Sequence, residues 1–393
     1  MARDLNSWKL SEIREKMEKY RLAQENYFIK GKPVLHLENG QKVFSLVSPP
    51  LKSPAARRRV RLIVNNMQIS AHGSNGTNLG VRAPHIITIA VTYSCQCKCK
   101  HCSASTYQEH VIRNKSGLTF KELRSAIEQS VALGTTCVVL TGGEPLLYGD
   151  IYNLIRSVDP NKSVCSMFTN GELLDEEKVL KLKEAGLFGL YVSIDHPDPE
   201  RHDANRQRPG LFAKAMRGLE ICRKVNLATG ISTFATKEKL ASGELDRMME
   251  LGKKTGVLEV FIFDVTPTGK LLNQHQCVLT NEEIEQVREF RNKYNDLPKF
   301  PRIVHQTMFS SMSYPCAAEG CPAALVQMHL RANGDVSPCD FTPYSFGNIR
   351  NQSLEEIWRN MTECSLYSAP SSRCRLARPE FWEQLDQHAT AIQ

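Results

Sequence analysis

Short apolar runs alternate with longer amphipathic segments along the middle of the chain. Six runs rich in β-branched residues recur between residues 86 and 265: IITIAVTY, TCVVLTG, SVCSMFTNG, GLYVSID, TGISTFAT and LEVFIFDV. Strands that alternate with helices form parallel sheets, because each helical connection crosses back over the sheet. The pattern therefore predicts an α/β fold with six parallel strands, arranged as a barrel or as an open sheet.

The segments between the runs carry signals for helix starts. Thr119 precedes Glu122 by three residues, and Thr280 precedes Glu283 in the same way. At this spacing each side chain accepts a hydrogen bond from the backbone N–H of the other residue, which is a capping box. Both pairs therefore predict helices that begin at the next residue.

The alternation divides the chain into three regions, residues 1–85, 86–299 and 300–393. The first region holds a charged amphipathic segment, the strand-like run KVFSLV and a loop rich in Pro, Ser and Arg. We expect it to be an N-terminal extension whose role the sequence does not indicate. A solvated face or a linker is predicted for its arginine run, Arg57, Arg58, Arg59 and Arg61.

Composition and charge argue against several classes of protein. Apolar residues make up 41% of the chain, and no stretch approaches the roughly 20 apolar residues of a membrane span. The formal charge of +8 lies in clusters without interleaved aromatic residues, so we expect neither a nucleic-acid nor a membrane partner. The first residues, MARDLNSWKLSEIREKMEKY, contain no apolar signal core, which predicts a cytoplasmic protein with reduced thiols.

The segment CQCKCKHC places four cysteines within eight residues, directly after the first predicted strand. Reduced thiols at this spacing favour metal binding over disulfides. In one interpretation Cys99 and Cys102 belong to a zinc site, with Cys95 or Cys97 as a third ligand. The fourth must then come from elsewhere, because His101 is awkwardly spaced on the same short loop. In the other, Cys95, Cys99 and Cys102 bind three irons of a [4Fe–4S] cluster and leave the fourth iron open. In this second interpretation Cys97 is not a cluster ligand.

Polar residues cluster at the C-terminal ends of the predicted strands. The cysteines follow the first strand, GGEP the second, TNG the third and PTGK the sixth, while SID closes the fourth. Parallel barrels and open sheets bind their ligands at this end. A scaffold that used its cysteines only for folding or sensing would have no need of these motifs, so the arrangement favours an enzyme.

The spacing Cys95-x3-Cys99-x2-Cys102 after a first strand resembles the radical S-adenosylmethionine (SAM) superfamily. The resemblance covers about residues 86 to 270 and includes GGEP, SID and His-Asp-x-x-Arg in that order. It implies a partial (β/α)6 barrel whose three cysteines hold a [4Fe–4S] cluster. It also implies reductive cleavage of SAM to methionine and a 5′-deoxyadenosyl radical, with a flavodoxin- or ferredoxin-type electron donor.

The same resemblance implies the contacts with SAM. In GGEP, the backbone of Gly142 and Gly143 and the carboxylate of Glu144 would hold the methionine amino group. A side chain at either glycine would crowd the backbone approach to the ligand. The other implied contacts are Ser193 near the SAM carboxylate or ribose, Asp195 near the ribose, and Arg206 on the SAM carboxylate.

The region after residue 300 is rich in cysteine and short of large apolar residues. It predicts a hairpin at LVQMHLRANGDVSP, where Asn333-Gly334 suits a tight turn, and a helix capped by Ser353 and Glu356. A bound metal would help such a unit to hold its shape.

The spacing Cys321-x12-Gly334-x4-Cys339 resembles the SPASM and twitch modules, which hold auxiliary iron–sulfur clusters. The full SPASM run CxxCx5Cx3C is missing, so we expect one auxiliary [4Fe–4S] cluster rather than two. Its predicted ligands are Cys321, Cys339, Cys374 and, as the best fourth, Cys316, with Cys364 as the reserve candidate. Core or spare positions are predicted for Cys137, Cys165, Cys222 and Cys277.

These features predict a radical SAM enzyme that modifies a substrate other than SAM. The N-terminal region does not resemble the winged-helix peptide-binding domain of peptide maturases, which favours a small-molecule natural-product or cofactor precursor. Maturation of a ribosomally made peptide is the alternative, and a non-catalytic iron–sulfur or zinc scaffold is the distant one. Asp264, at the end of the sixth strand, is a candidate substrate ligand.

Overall fold

A computed structural model of the protein describes residues 30–72, 82–113, 116–307 and 320–392, together with Ser11, Glu15 and Glu18. The first elements after residue 30 are a two-stranded antiparallel ribbon and a long helix. They are β1 (Leu35–His36), β2 (Lys42–Val43) and α1 (Pro54–His72).

The six predicted strands are all present and form the centre of one sheet. They are β3 (Ile86–Thr92), β4 (Cys137–Gly142), β5 (Val164–Thr169), β6 (Gly189–Ser193), β7 (Ala228–Ala235) and β8 (Glu259–Asp264). Three later strands join them, β9 (Arg302–His305), β10 (Gln327–Leu330) and β11 (Val336–Ser337). The order is β11-β10-β3-β4-β5-β6-β7-β8-β9, and every neighbouring pair is parallel except β10 and β11. The predicted α/β fold with a parallel sheet is therefore confirmed.

Helices connect the strands and pack against the sheet. They are α2 (Ser105–Arg113), α3 (Phe120–Leu133), α4 (Ile151–Arg156), α5 (Glu176–Glu184), α6 (Pro199–Arg206), α7 (Leu211–Lys224), α8 (Lys237–Ala241), α9 (Glu244–Thr255), α10 (Asn281–Asp296), α11 (Leu354–Glu363), α12 (Ser365–Ser368) and α13 (Pro379–Ile392). The capping boxes predicted at Thr119, Thr280 and Ser353 all form. Within the described ranges, none of the helices has both the length and the apolar character to cross a bilayer.

The strands are buried on both faces, which explains their continuous apolar runs. Successive residues point to opposite faces, so Ile87 and Ile89 join the cluster shared with the helices, whereas Ile86 joins a second cluster. The second cluster contains Tyr191 and Phe261 from the sheet, and it also contains Leu46 from the N-terminal region.

The N-terminal region is built into the barrel. Residues 43–50 are buried, and the backbone N–H of Leu46 donates to Glu259 Oε1 over 2.8 Å. The arginine run lies on α1 and not in a linker, and it is solvated only in part: Arg57 and Arg61 are exposed, whereas Arg58 and Arg59 meet backbone carbonyls. Arg58 donates to the Thr135 oxygen over 2.8 Å, and the buried Arg59 donates to the Val47 oxygen over 2.7 Å.

Candidate active site

The loop after β3 carries the four clustered cysteines and is fixed by the end of α6. The backbone N–H of Lys98 donates to the Arg206 oxygen over 3.1 Å, and that of Lys100 donates to the Asn205 oxygen over 2.9 Å. The last carbonyls of a helix have no partner within the helix and readily accept such bonds. The His-Asp-x-x-Arg helix therefore sets the position of the loop.

All four loop cysteines line one cavity at the C-terminal ends of the strands. Cys95, Cys99 and Cys102 are partly exposed, whereas Cys97 is buried. A hydrogen bond from the Cys97 thiol, together with the charge of Arg206, lowers the pKa of Cys99 to about 7. This environment favours a thiolate at Cys99, which is the form that binds metal.

His101 does not join the cysteines. Its Nε2 lies 3.8 Å from Asp195 Oδ1, and its ring packs against Phe234 with centroids 4.5 Å apart. Among the residues described, no three His, Cys, Asp or Glu side chains converge on a single metal ion. The geometry thus gives no support to a zinc site that uses His101.

The two glycines of GGEP are required by the chain itself. A Cβ at Gly142 would lie 2.1 Å from the Thr92 oxygen, and one at Gly143 would lie 2.4 Å from the Ser94 oxygen. These contacts give a second reason for glycine beside the expected approach of a ligand, since added side chains would strike the backbone at and just after the end of β3. Both glycines line the cavity, so their backbone remains available to a ligand.

Glu144 is fully buried and is not one of the residues that line the cavity. One carboxylate oxygen accepts from Thr169 Oγ1 and the other from the Asn170 N–H, each over 2.8 Å. These bonds tie the GGEP turn to the end of β5. The contact between Glu144 and the methionine amino group, which the resemblance implies, stays a prediction.

Asp195 and Arg206 form a bidentate ion pair at the cavity wall. Arg206 Nε donates to Asp195 Oδ2 over 3.0 Å, and its NH2 donates to Oδ1 over 2.6 Å. Burial alone would raise the pKa of Asp195, but Arg206 and His101 hold it below its usual value. The backbone N–H of Asp195 donates to His202 Nδ1 over 3.0 Å. Ser193 lies beside the pair along the wall, and its hydroxyl accepts from Ser232 over 3.1 Å.

Lys239 is a buried cation behind this wall that the sequence did not single out. Its Nζ donates to the Asp195 backbone oxygen and, over 3.3 Å, to Thr233 Oγ1. It also stands 3.9 Å above the Phe234 ring, the same ring that packs against His101. Nothing in the local sequence around Lys239 marks it as buried, because the tertiary fold alone brings Asp195 next to it.

The C-terminal cysteines Cys321, Cys339 and Cys374 line the same cavity as the loop cysteines, and all three are buried. The backbone N–H of Cys321 donates to the Ser371 oxygen over 2.8 Å, which ties two parts of the module together. Cys364 is buried at the junction of α11 and α12 and is not among the lining residues. The predicted fourth ligand, Cys316, lies outside the described residues.

Aromatic side chains line the cavity between the two cysteine groups. The Phe261 and Phe263 ring centroids are 4.5 Å apart, and Phe263 contacts Phe341 of the C-terminal module at 6.0 Å. The candidate substrate ligand Asp264 also lines the cavity. Its Oδ1 lies 3.1 Å from His305 Nε2.

Comparison with known proteins identifies this arrangement. A profile described as the radical SAM superfamily matches residues 89–239, and one described as an iron–sulfur cluster-binding domain, SPASM, matches residues 321–376. An AdoMet-dependent heme synthase of Methanosarcina barkeri (strain Fusaro) is 30% identical over 296 residues, which cover 71% of this chain and 83% of that protein. The chain belongs to the radical SAM superfamily.

Other radical SAM relatives agree with this assignment. An AdoMet-dependent heme synthase of Nitratidesulfovibrio vulgaris (strain Hildenborough) is 29% identical over 308 residues, covering 74% of this chain and 83% of that protein. An Fe-coproporphyrin III synthase of Methanosarcina barkeri is 23% identical over 309 residues, covering 71% and 74%. Streptococcus suis SuiB bound to precursor peptide SuiA shares the fold, with a TM-score of 0.56 and 16% identity over 80% of this chain and 70% of that one.

The protein is therefore a radical SAM enzyme that uses a [4Fe–4S] cluster and SAM and carries an auxiliary iron–sulfur cluster in its SPASM domain. The donor chemistry of the cavity fits these groups, since thiols from the β3 loop and thiols from the C-terminal module meet there. Gly142, Gly143 and the Asp195–Arg206 pair line the same cavity beside the loop.

Proposed function

We propose that this radical SAM enzyme abstracts hydrogen from an iron porphyrin. Two relatives named as heme synthases match 71% and 74% of this chain and 83% of their own length, and the chain carries both the radical SAM and the SPASM profiles. The aromatic wall between the two cysteine groups supports a flat, apolar substrate. A macrocycle could stack on Phe261, Phe263 and Phe341 and lie between the two sites.

In this proposal Cys95, Cys99 and Cys102 hold the cluster that works with SAM. When bound, that cluster supplies the electron that cleaves SAM to methionine and a 5′-deoxyadenosyl radical. Cys97 donates a hydrogen bond toward Cys99 and stays outside the ligand set. The bonds from Lys98 and Lys100 to the end of α6 hold the loop against the SAM pocket.

SAM would lie between this loop and the ends of β4 to β6. The backbone of Gly142 and Gly143 would face its amino group, and Glu144 would act from behind by fixing the turn. Ser193, Asp195 and Arg206 would meet the carboxylate and the ribose. Arg206 would serve the SAM carboxylate while it remains paired with Asp195, because a guanidinium has enough N–H donors for both.

The auxiliary cluster would be held by Cys321, Cys339 and Cys374, with Cys316 as the fourth ligand. These thiols share the cavity with the substrate space, so the auxiliary cluster would lie close enough to accept an electron from the substrate. Asp264 would face the substrate, with its carboxylate oriented by His305. A flavodoxin- or ferredoxin-type protein would supply the reducing electron from outside.

The test is anaerobic turnover of the reconstituted enzyme with SAM and dithionite. One reaction contains iron coproporphyrin III, a second contains metal-free coproporphyrin III, and a third contains peptides encoded near the gene. We expect 5′-deoxyadenosine and a changed porphyrin mass in the first reaction only. A modified peptide together with an unchanged porphyrin would replace the proposal with peptide maturation, the function that the SuiA complex of SuiB illustrates for that protein.

A further inference from the structure

The charged side chains that line the cavity are paired, with one exception. Three lining carboxylates each contact a basic side chain: Asp195 contacts Arg206, Asp264 contacts His305 and Asp340 contacts His329. Arg375 also lines the cavity, but among the residues described no carboxylate pairs with it. Within the described ranges, the cavity therefore contains a cation without a carboxylate partner.

Arg375 is buried, with only 5% of its surface exposed. One terminal nitrogen donates to the Ala369 backbone oxygen, and the guanidinium lies 5.3 Å from the centroid of the Tyr367 ring. In the part of the chain that the structure describes, its Nε has no hydrogen-bond partner. A buried cation with an unused donor is costly unless an anion or an acceptor completes the site.

We propose that Arg375 binds a carboxylate side chain of the substrate. The inference rests on the proposed function, because coproporphyrins carry their carboxylates on short flexible arms around an apolar ring. The ring would occupy the aromatic part of the cavity, and one arm would reach the guanidinium beside the SPASM cysteines. Arg375 is then a specificity residue that fixes how the macrocycle is turned relative to SAM.

The other source of negative charge is the auxiliary cluster, since Arg375 directly follows Cys374. One observation favours the substrate. Besides lining the cavity, Arg375 borders a second groove with Arg378 and Phe381. Arg375 therefore stands at the edge of the cavity, where an arm of a bound molecule would end.

The test measures equilibrium binding without SAM or reductant, so it does not depend on turnover. Iron coproporphyrin III and its tetramethyl ester are titrated against the reconstituted enzyme in the same detergent buffer, with absorbance as the readout. Wild type should prefer the acid over the ester by about tenfold or more, the value of a charge-assisted contact. Arg375→Gln should lose that preference. Arg378→Gln is the matched control, since Arg378 borders the same groove without lining the cavity, and it should keep the preference.

Iron content and the reduction potential of the auxiliary cluster are measured in parallel. If Arg375→Gln loses iron, Arg375→Met with full iron becomes the deciding variant, because it removes the charge and keeps a side chain that fills the space, and a lost preference for the acid supports the proposal. An unchanged acid-to-ester ratio in the deciding variant overturns it, as does a shifted cluster potential with an unchanged ratio. In turnover, the variant should raise KM by about tenfold with little change in kcat.

The outcomes also separate this inference from the proposed function. A wild-type enzyme that shows the Arg375-dependent preference but leaves the porphyrin unchanged would contradict the function and keep the carboxylate site. If the enzyme converts the porphyrin but binds the acid and the ester equally well, the proposed function stands and the carboxylate contact of Arg375 is contradicted. Failure of wild type to bind either form would overturn both.

Discussion

The two groups of cysteines differ in how the chain holds them. Cys95, Cys99 and Cys102 lie in one short loop, are partly exposed and are fixed through backbone bonds to α6. The C-terminal cysteines come from separate segments and are buried. Burial raises the pKa of Cys102 in the loop and that of Cys339, the latter to about 12, whereas the Cys97 hydrogen bond lowers the pKa of Cys99 to about 7.

The loop cysteines form a site from neighbouring residues, whereas the C-terminal cysteines form one from segments that are distant in the sequence. The loop site is complete once β3 and α6 are in place. The C-terminal site forms only when β10 pairs with β3, which brings the SPASM domain onto the barrel. We therefore expect damage to the loop to abolish chemistry without unfolding the protein, and damage to the C-terminal site to loosen the domain that surrounds it.

The largest effect should follow from removing the loop ligands. The triple change of Cys95, Cys99 and Cys102 to Ala should abolish 5′-deoxyadenosine formation under dithionite and leave about four irons per chain in the auxiliary cluster. Cys97→Ala is the control and should retain both iron and SAM cleavage. Persistent cleavage in the triple variant, measured by chromatography of the nucleoside, would refute the assignment.

Removing one buried cysteine should have a different signature. Cys339→Ala should cost about four irons per chain and lower the thermal unfolding midpoint by about 5 °C or more, because the cluster joins separate segments. SAM cleavage without substrate should persist. Cys277, which is only partly buried and lies outside the cavity, provides the control Cys277→Ala. An unchanged iron content in Cys339→Ala would remove Cys339 from the ligand set.

The Asp195–Arg206 pair offers a smaller and graded effect. Arg206→Ala leaves the buried Asp195 carboxylate without its main partner, which costs on the order of 3–5 kcal/mol of stability, and it should weaken SAM binding by tenfold or more. Arg208→Ala is the matched control, because Arg208 pairs with Glu172 near the surface. Equal SAM affinity in both variants, measured by calorimetry, would move the pocket elsewhere.

The smallest predicted effect is a pH dependence of stability. Burial lowers the pKa of His202 to about 4, and its Nδ1 accepts a bond from the Asp195 N–H. Between pH 6.5 and 4 the unfolded chain takes up a proton that the folded chain excludes, so stability from this group is full above 6.5 and falls as the pH is lowered. Urea denaturation should show this slope in wild type and a shallower one in His202→Gln. Equal slopes would exclude the His202 contribution.

Features encoded by local patterns could be predicted from the sequence. The alternation of apolar runs predicted six strands, and the Thr and Glu spacings predicted helix caps, because these depend on neighbouring residues only. The turn at Gly334 forms with a φ of 96°, as its Asn-Gly sequence indicated. Cysteine spacing likewise identified the family.

Features that depend on packing between distant segments could not be predicted. The arginine run looked solvated because nothing local shows that Arg59 meets Val47. The hydrogen bonds that tie Glu144 to Thr169 and Asn170 at the end of β5 join distant residues, so no local pattern around GGEP predicts them. The meeting of two cysteine groups in one cavity required β10 to join the sheet beside β3, a pairing that no local pattern signals.

Transfer of deuterium from the porphyrin to 5′-deoxyadenosine tests the central claim most directly. Iron coproporphyrin III deuterated in its side chains is incubated with the reconstituted enzyme, SAM and dithionite, and 5′-deoxyadenosine is analysed by mass spectrometry. We expect its mass to increase by one unit, in step with porphyrin consumption, because one hydrogen atom moves from substrate to the deoxyadenosyl carbon. Unlabelled 5′-deoxyadenosine alongside unchanged porphyrin would contradict the proposed substrate.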